Sequence, residues 1–293
     1  MAKIGFIGLG LMGSAMVQRL LDKGHALTVL GNRDRTGVDA AIERGATEAD
    51  SPRALAEASD IVMLCMGTSE QVEGRMNGED GVLAGLSEGD VVIDFGTSLP
   101  ASTKALAEAA AAKGAAYLDG PLGRTPSHGR EGKLNIMGGG DRDAFDRVRP
   151  VLEDLGENVF HLGGAGSGHT IKLINNFVGM TIANAVAEAF AMADSAGIAR
   201  QDLFDVMGAG PLRSAMMEFV AAYGVDGDPD KLAFSIANAA KDVGYYRRMA
   251  EELGARTVMS AGAAEGLSLA LEEGRGEDMV STMVDTYAKR FGG

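Results

Sequence analysis

The chain has 293 residues, with 41 acidic against 27 basic side chains, a formal net charge of −14 and a single cysteine, Cys65. That length suggests about two domains, and so acidic a surface repels nucleic acid and anionic lipid, so neither is expected as a partner. One cysteine excludes an intramolecular disulfide and fits a reducing, cytoplasmic setting.

No apolar run reaches the ~18 residues of a membrane span. No signal-peptide layout precedes the first apolar segment, so the mature chain is expected to start where the sequence does.

The first predicted strand, 4–7, runs into Gly8-Leu9-Gly10-Leu11-Met12-Gly13 and then a helix over 14–22. Each glycine of this G-x-G-x-x-G has a physical task. Gly8 turns the chain sharply off the strand, Gly10 lets a pyrophosphate approach the backbone, and Gly13 lets the helix pack on the sheet. The helix N-terminus then offers N–H groups and a positive dipole end to the phosphates. A dinucleotide is therefore the expected ligand.

The second strand, 26–30, leads into Gly31-Asn32-Arg33-Asp34-Arg35. An NAD site usually places a carboxylate here, on the ribose 2′-OH. Asn32 is neutral, and Arg33 can pair with a 2′-phosphate. NADP is expected on that ground. NAD remains possible if Asp34 reaches the ribose, and Arg33 and Arg35 could instead be solvated residues opposite Asp34 and Asp39.

Helices over 37–44 and 52–58, strands over 61–65 and 91–95, a helix over 101–113 and a strand over 116–118 continue the alternation. This is the pattern of an α/β fold, an N-terminal Rossmann doubly wound parallel sheet. Two further strands, 134–137 and 159–162, flank a helix over 144–155. Glycines 163, 164, 166 and 168 then mark a boundary. We expect a dinucleotide-binding domain over 1–163 and an all-α substrate and oligomerisation domain over 164–293, joined by a long helix from 170 to about 196.

On that helix, Ile171, Ile174, Phe177 and Val178 read as the apolar stripe. Lys172 and Asn176 are four apart and share a face. Lysine can give a proton to a carbonyl oxygen becoming an alcohol, and an amide can orient a substrate. Helical spacing alone favours a solvated surface lysine on a long helix. His25, His128, His161 and His169 have no metal-ligand spacing, so no metal is expected; His169 reads as part of the helix start.

Four motifs occur in order: GLGLMG, Thr97-Ser98-Leu99-Pro100, the glycine-lysine-asparagine run ending at Asn176, and Ala240-Lys241-Asp242-Val243-Gly244. Together they resemble the β-hydroxyacid dehydrogenase family, which includes 3-hydroxyisobutyrate dehydrogenases, tartronate semialdehyde reductases and 6-phosphogluconate dehydrogenases. The resemblance covers essentially the whole chain. It implies a small anionic substrate, a cleft between the two domains as active site, and a homodimer or homotetramer. By family role, Lys172 would be the general acid/base and Asn176 would bind substrate. Thr97 and Lys241 would lie near the nicotinamide, and Met66 and Gly67 would line the cofactor cleft. Imine reductases share the fold but generally lack the lysine. A non-catalytic scaffold would not need Lys172, Asn176 and Lys241 together.

The substrate loop departs from the common family pattern. After Asp119-Gly120-Pro121-Leu122 come Gly123, Arg124 and Thr125 in place of the usual serine-glycine-glycine. This resembles the sulfolactaldehyde reductase branch, which implies a sulfonate or carboxylate on Arg124 and Thr125. A guanidinium and a hydroxyl can bond several anion oxygens at once. Arg124 could alternatively pair with Glu131 or with a carboxylate of a partner subunit.

Overall fold

Apolar runs without polar alternation predict strands covered on both faces, and residues 2–292 of a computed structural model show them so covered. The strands β1 (Lys3–Ile7), β2 (Ala26–Leu30), β3 (Thr47–Ala49), β4 (Ile61–Leu64), β5 (Val91–Asp94) and β6 (Ala116–Asp119) form one sheet in the order β3-β2-β1-β4-β5-β6. All its pairings are parallel, and β4 and β5 are buried at every position. This is the doubly wound order, with its reversal between β1 and β4, where ligands bind beyond the carboxyl ends of the strands.

The connecting helices are α1 (Leu11–Asp22), α2 (Thr36–Glu43), α3 (Pro52–Glu57), α4 (Ser69–Met76), α5 (Val82–Gly85) and α6 (Pro100–Ala111). Phe6, Met16, Leu20, Val29 and Met63 build the core on one face of the sheet. Leu55, Val62, Leu64, Val72 and Val92 build it on the other. The Ser51 and Thr68 hydroxyls cap α3 and α4 by accepting the N–H groups of Ala54 and Gln71, as N-cap residues do.

A second, three-stranded sheet follows: β7 (Leu122–Gly123), β8 (Leu134–Gly138) and β9 (Gly156–His161), antiparallel then parallel. With it run α7 (Pro126–Glu131) and α8 (Arg142–Leu155). Asp119 and Gly139 bridge the two sheets through both backbone hydrogen bonds, at 3.1 and 2.7 Å. The strands β3 and β7 and the helices α4, α5 and α7 lie outside the elements expected from sequence. Each has eight residues or fewer, too few for periodicity to stand out.

The chain divides into two compact units, Met1–Lys172 and Leu173–Gly293. The second is helical: the greater part of α9 (Ser167–Ser195), then α10 (Arg200–Gly208), α11 (Ala215–Gly224), α12 (Ile236–Glu252), α13 (Met259–Glu272) and α14 (Met283–Phe291). Phe190, Met217, Ile236, Leu267 and Met283 form its core. No helix among the described residues is long and apolar enough to cross a membrane.

The expected inward stripe of α9 is corrected by the structure. Ile171, Ile174 and Val178 are exposed, at 43, 42 and 47%. The buried face is instead Leu173, Asn176, Met180, Ala183, Ala187 and Phe190. Both faces of this helix carry apolar residues, so periodicity could not say which one packs. Phe177 stacks on Tyr246 of α12, with ring centroids 4.3 Å apart.

Candidate active site

The turn from β1 into α1 is shaped by what its glycines lack. Gly8 has φ +97°, in the left-handed region, and a Cβ there would strike the backbone carbonyl oxygen of Cys65. A Cβ on Gly13 would strike the Gly8 carbonyl oxygen. Gly10 differs: a Cβ there would meet no protein atom within 4 Å. Gly10 is also the N-cap of α1, with no side-chain acceptor and no acidic residue in the first turn. The first-turn N–H groups, from Leu11, Met12 and Gly13, have no intrahelical acceptor and a positive dipole end behind them. The residues present fit a pyrophosphate there.

A pocket opens beside this turn. Gly8, Leu9, Gly10, Asn32, Met66 and Gly67 line it, as do Asp34, Gln71 and Arg75. The last two were not singled out from sequence. The available signal was Thr68 as a helix cap and the four-residue spacing that puts Gln71 and Arg75 on one face of α4. Gln71 Oε1 accepts the Gly67 N–H at 3.0 Å. Arg33 is exposed, and no carboxylate among the described residues pairs with it. Arg35 is taken up by Asp39 and Glu48, at 2.8 Å each. Asp34 accepts the Thr36 N–H, which holds its carboxyl below its usual range. Cys65 also lines the pocket, but burial, helped by the Asp94 charge, pushes its thiol up to about 12. It is therefore no thiolate nucleophile at neutral pH.

Lys172 sits in the second turn of α9. Its Nζ donates to the Leu122 carbonyl at 2.7 Å, which brings the ammonium to the residue preceding Gly123, Arg124 and Thr125. In that loop Arg124 has φ +78°, and among the described residues no other non-glycine lies in the left-handed region. Its Nη1 donates to Glu157 Oε2 at 2.6 Å and to the Lys133 carbonyl at 2.8 Å. The ion-pair partner is thus Glu157, not Glu131, which bonds Lys133. The Thr125 hydroxyl bonds Ser127 and the His128 ring.

In the second unit, Asn176 is buried, and its Nδ2 donates to Asp242 Oδ2 at 2.6 Å. Lys241 Nζ lies 3.0 Å from the other oxygen of Asp242. Asp242 had no role assigned from sequence. It orients the Asn176 amide by accepting from its nitrogen. Thr97 lies in the segment between β5 and α6.

Fold and site together define a dinucleotide-dependent oxidoreductase. Residues 3–163 match the model for the NAD-binding domain of 6-phosphogluconate dehydrogenase. Residues 166–287 match that described as NAD-binding of NADP-dependent 3-hydroxyisobutyrate dehydrogenase. The chain is 36% identical over 207 residues to a 3-hydroxyisobutyrate dehydrogenase of Pseudomonas aeruginosa, covering 71% of this chain and 69% of that one. It is 32% identical over 290 residues to the 3-sulfolactaldehyde reductase of Escherichia coli, covering 97% of this chain and 95% of that one. Among solved structures it is similar to a 3-hydroxyisobutyrate dehydrogenase of Mycobacterium tuberculosis with L-serine, at a TM-score of 0.87 and 26% identity, covering 98% and 99% of the two chains. The chain belongs to the β-hydroxyacid dehydrogenase family.

Proposed function

We propose that the protein interconverts a small β-hydroxy acid, or its sulfonate analogue, and the corresponding semialdehyde, with Lys172 as proton donor and acceptor. The observation that carries this reading is the 2.7 Å bond from Lys172 Nζ to the Leu122 carbonyl, beside the Gly123-Arg124-Thr125 loop. The Gly8–Gly13 turn, Asn32 and Arg33 would hold NADP, whose nicotinamide would supply or accept the hydride. Lys172 hands a proton to the carbonyl oxygen as it becomes a hydroxyl, and takes it back in the reverse direction. Asn176, one turn along α9 from Lys172 and oriented by Asp242 of α12, binds the substrate's oxygens. Thr97 and Lys241 belong to the nicotinamide end.

Arg124 binds the acid group in this reading. An exposed ion pair such as Arg124–Glu157 is worth only about 0–1 kcal/mol, so an incoming anion can displace Glu157. The positive φ supports the same role, because strained backbone gathers at ligand clamps. The test is a panel of sulfolactaldehyde, methylmalonate semialdehyde, succinic semialdehyde and tartronate semialdehyde, each with NADPH and NADH, for the wild type and Arg124→Ala. At least one aldehyde is expected to turn over, and Arg124→Ala should raise KM for it without changing NADPH affinity. Turnover of cyclic imines alone would overturn the reading. Unchanged substrate kinetics in the variant would reduce Arg124 to a partner of Glu157.

The preference for NADP rests on Arg33, which has no carboxylate partner among the described residues, and on Asn32 in the pocket wall. Arg33→Ala should raise KM for NADPH roughly tenfold, as for the loss of a charge-assisted hydrogen bond, and leave KM for NADH near wild type. The gap should narrow at high salt, because exposed charges are screened. Equal effects on both cofactors would count against the assignment.

A further inference from the structure

We infer that Asp119 is a positioning residue that sets where Lys172 stands, an inference resting on the proton-transfer role of Lys172 proposed above. Asp119 ends β6 and is completely buried. Its Oδ1 accepts the N–H of Gly166, and its Oδ2 accepts the N–H of His169, both at 2.8 Å. Those two donors bracket the first turn of α9, which begins at Ser167. The carboxylate thus satisfies two N–H groups that a helix start otherwise leaves without an intrahelical acceptor. It also places its negative charge at the positive end of the helix dipole. No cation pairs with Asp119 among the described residues, so the backbone donors are what stabilise its buried charge.

The consequence lies one turn further on. Lys172 follows His169 by three residues, and its Nζ returns to the carbonyl of Leu122, three residues after Asp119. Side chain, helix turn, ammonium and the Asp119–Leu122 segment therefore form one short closed ring. The Asp119 end of that ring is fixed independently, because its own N–H and carbonyl are bonded to Gly139. The helix end has a second anchor, since buried His169 meets the Thr103 hydroxyl through Nδ1 at 2.7 Å. Removing one carboxylate acceptor would let the first turn of α9 shift, and Lys172 with it. Asp119→Asn does this with little change of volume. It keeps one oxygen acceptor and sets an NH2 group against the remaining N–H, donor against donor.

The test compares wild type, D119N, K172A and the double variant with the same aldehyde and NADPH, alongside Tm and NADPH affinity. D119N is expected to lower kcat ~10–100-fold, the effect of displacing a reacting group by about 1 Å. NADPH affinity and substrate KM should stay within roughly threefold. In the K172A background, D119N should change kcat by less than about twofold, because a residue acting only through Lys172 has nothing left to act on. An equal loss in both backgrounds overturns the positioning role in favour of general structural damage. Wild-type kcat in D119N beside an inactive K172A overturns it too, while leaving Lys172 as proton donor. A K172A enzyme with wild-type kcat overturns both. Should D119N yield no folded protein, Asp119→Glu, which keeps both acceptors and moves them by one methylene, goes through the same comparison with the same criteria.

Discussion

Lys172→Ala is expected to lose ~10²–10⁴-fold in kcat, the range for removal of a positioned general acid/base. Cofactor binding and folding should survive. The side chain, which donates to the Leu122 carbonyl at 2.7 Å, lies outside the buried core. Lys172→Arg should fail almost as badly, since a guanidinium does not release its proton at working pH and is planar where the ammonium is compact. The pH profile of alcohol oxidation in the wild type should contain an ionisation that is missing from Lys172→Ala. The measurements are steady-state kcat, the pH profile and NADPH titration on the same preparation. Retention of more than about a tenth of wild-type kcat would refute the assignment and reopen the imine-reductase and scaffold readings.

The second large effect separates two glycines of one motif. Gly8→Ala should damage both stability and NADPH binding. The positive φ alone costs roughly 1–3 kcal/mol for a non-glycine residue. The new Cβ would also press on the Cys65 carbonyl, in a stretch fixed by the Cys65 N–H bond to Ile7 at 2.9 Å. Gly10→Ala should leave Tm unchanged, because a Cβ there meets no protein atom. It should still weaken NADPH at least ~10-fold, the equivalent of about 1.4 kcal/mol, because that Cβ occupies the space where the pyrophosphate approaches. Thermal unfolding and fluorescence titration with NADPH read the two effects separately. Were Gly10→Ala to bind NADPH as well as wild type, the phosphate site at the start of α1 would be wrong. A Gly8→Ala protein with wild-type Tm would contradict the backbone argument.

Local physics made much of this protein legible without coordinates. The strand, the G-x-G-x-x-G turn and the helix after it are neighbours in sequence, and each glycine's task follows from its missing side chain. The alternation of strand and helix to residue 119 required a parallel sheet, since parallel strands need crossovers. Lys172 and Asn176 share a helix face because helical geometry puts residues four apart together. The roles of those two side chains came from the family resemblance, not from spacing.

What only the tertiary structure decided involves residues far apart in the chain. The short edge strand Thr47–Ala49 has no apolar run and exists because β2 offers it a free edge. Which face of α9 packs was settled by its neighbours, since apolar residues lie all round it. Arg124 finds Glu157 across 33 residues, Asn176 finds Asp242 across 66, and Asp119 reaches Gly166 across 47. Such pairings leave no periodic trace, because hydrogen bonds between groups far apart in the chain depend on where whole elements come to rest. The sequence determines the fold class, the dinucleotide turn and the candidate lysine; the folded chain decides what holds that lysine in place.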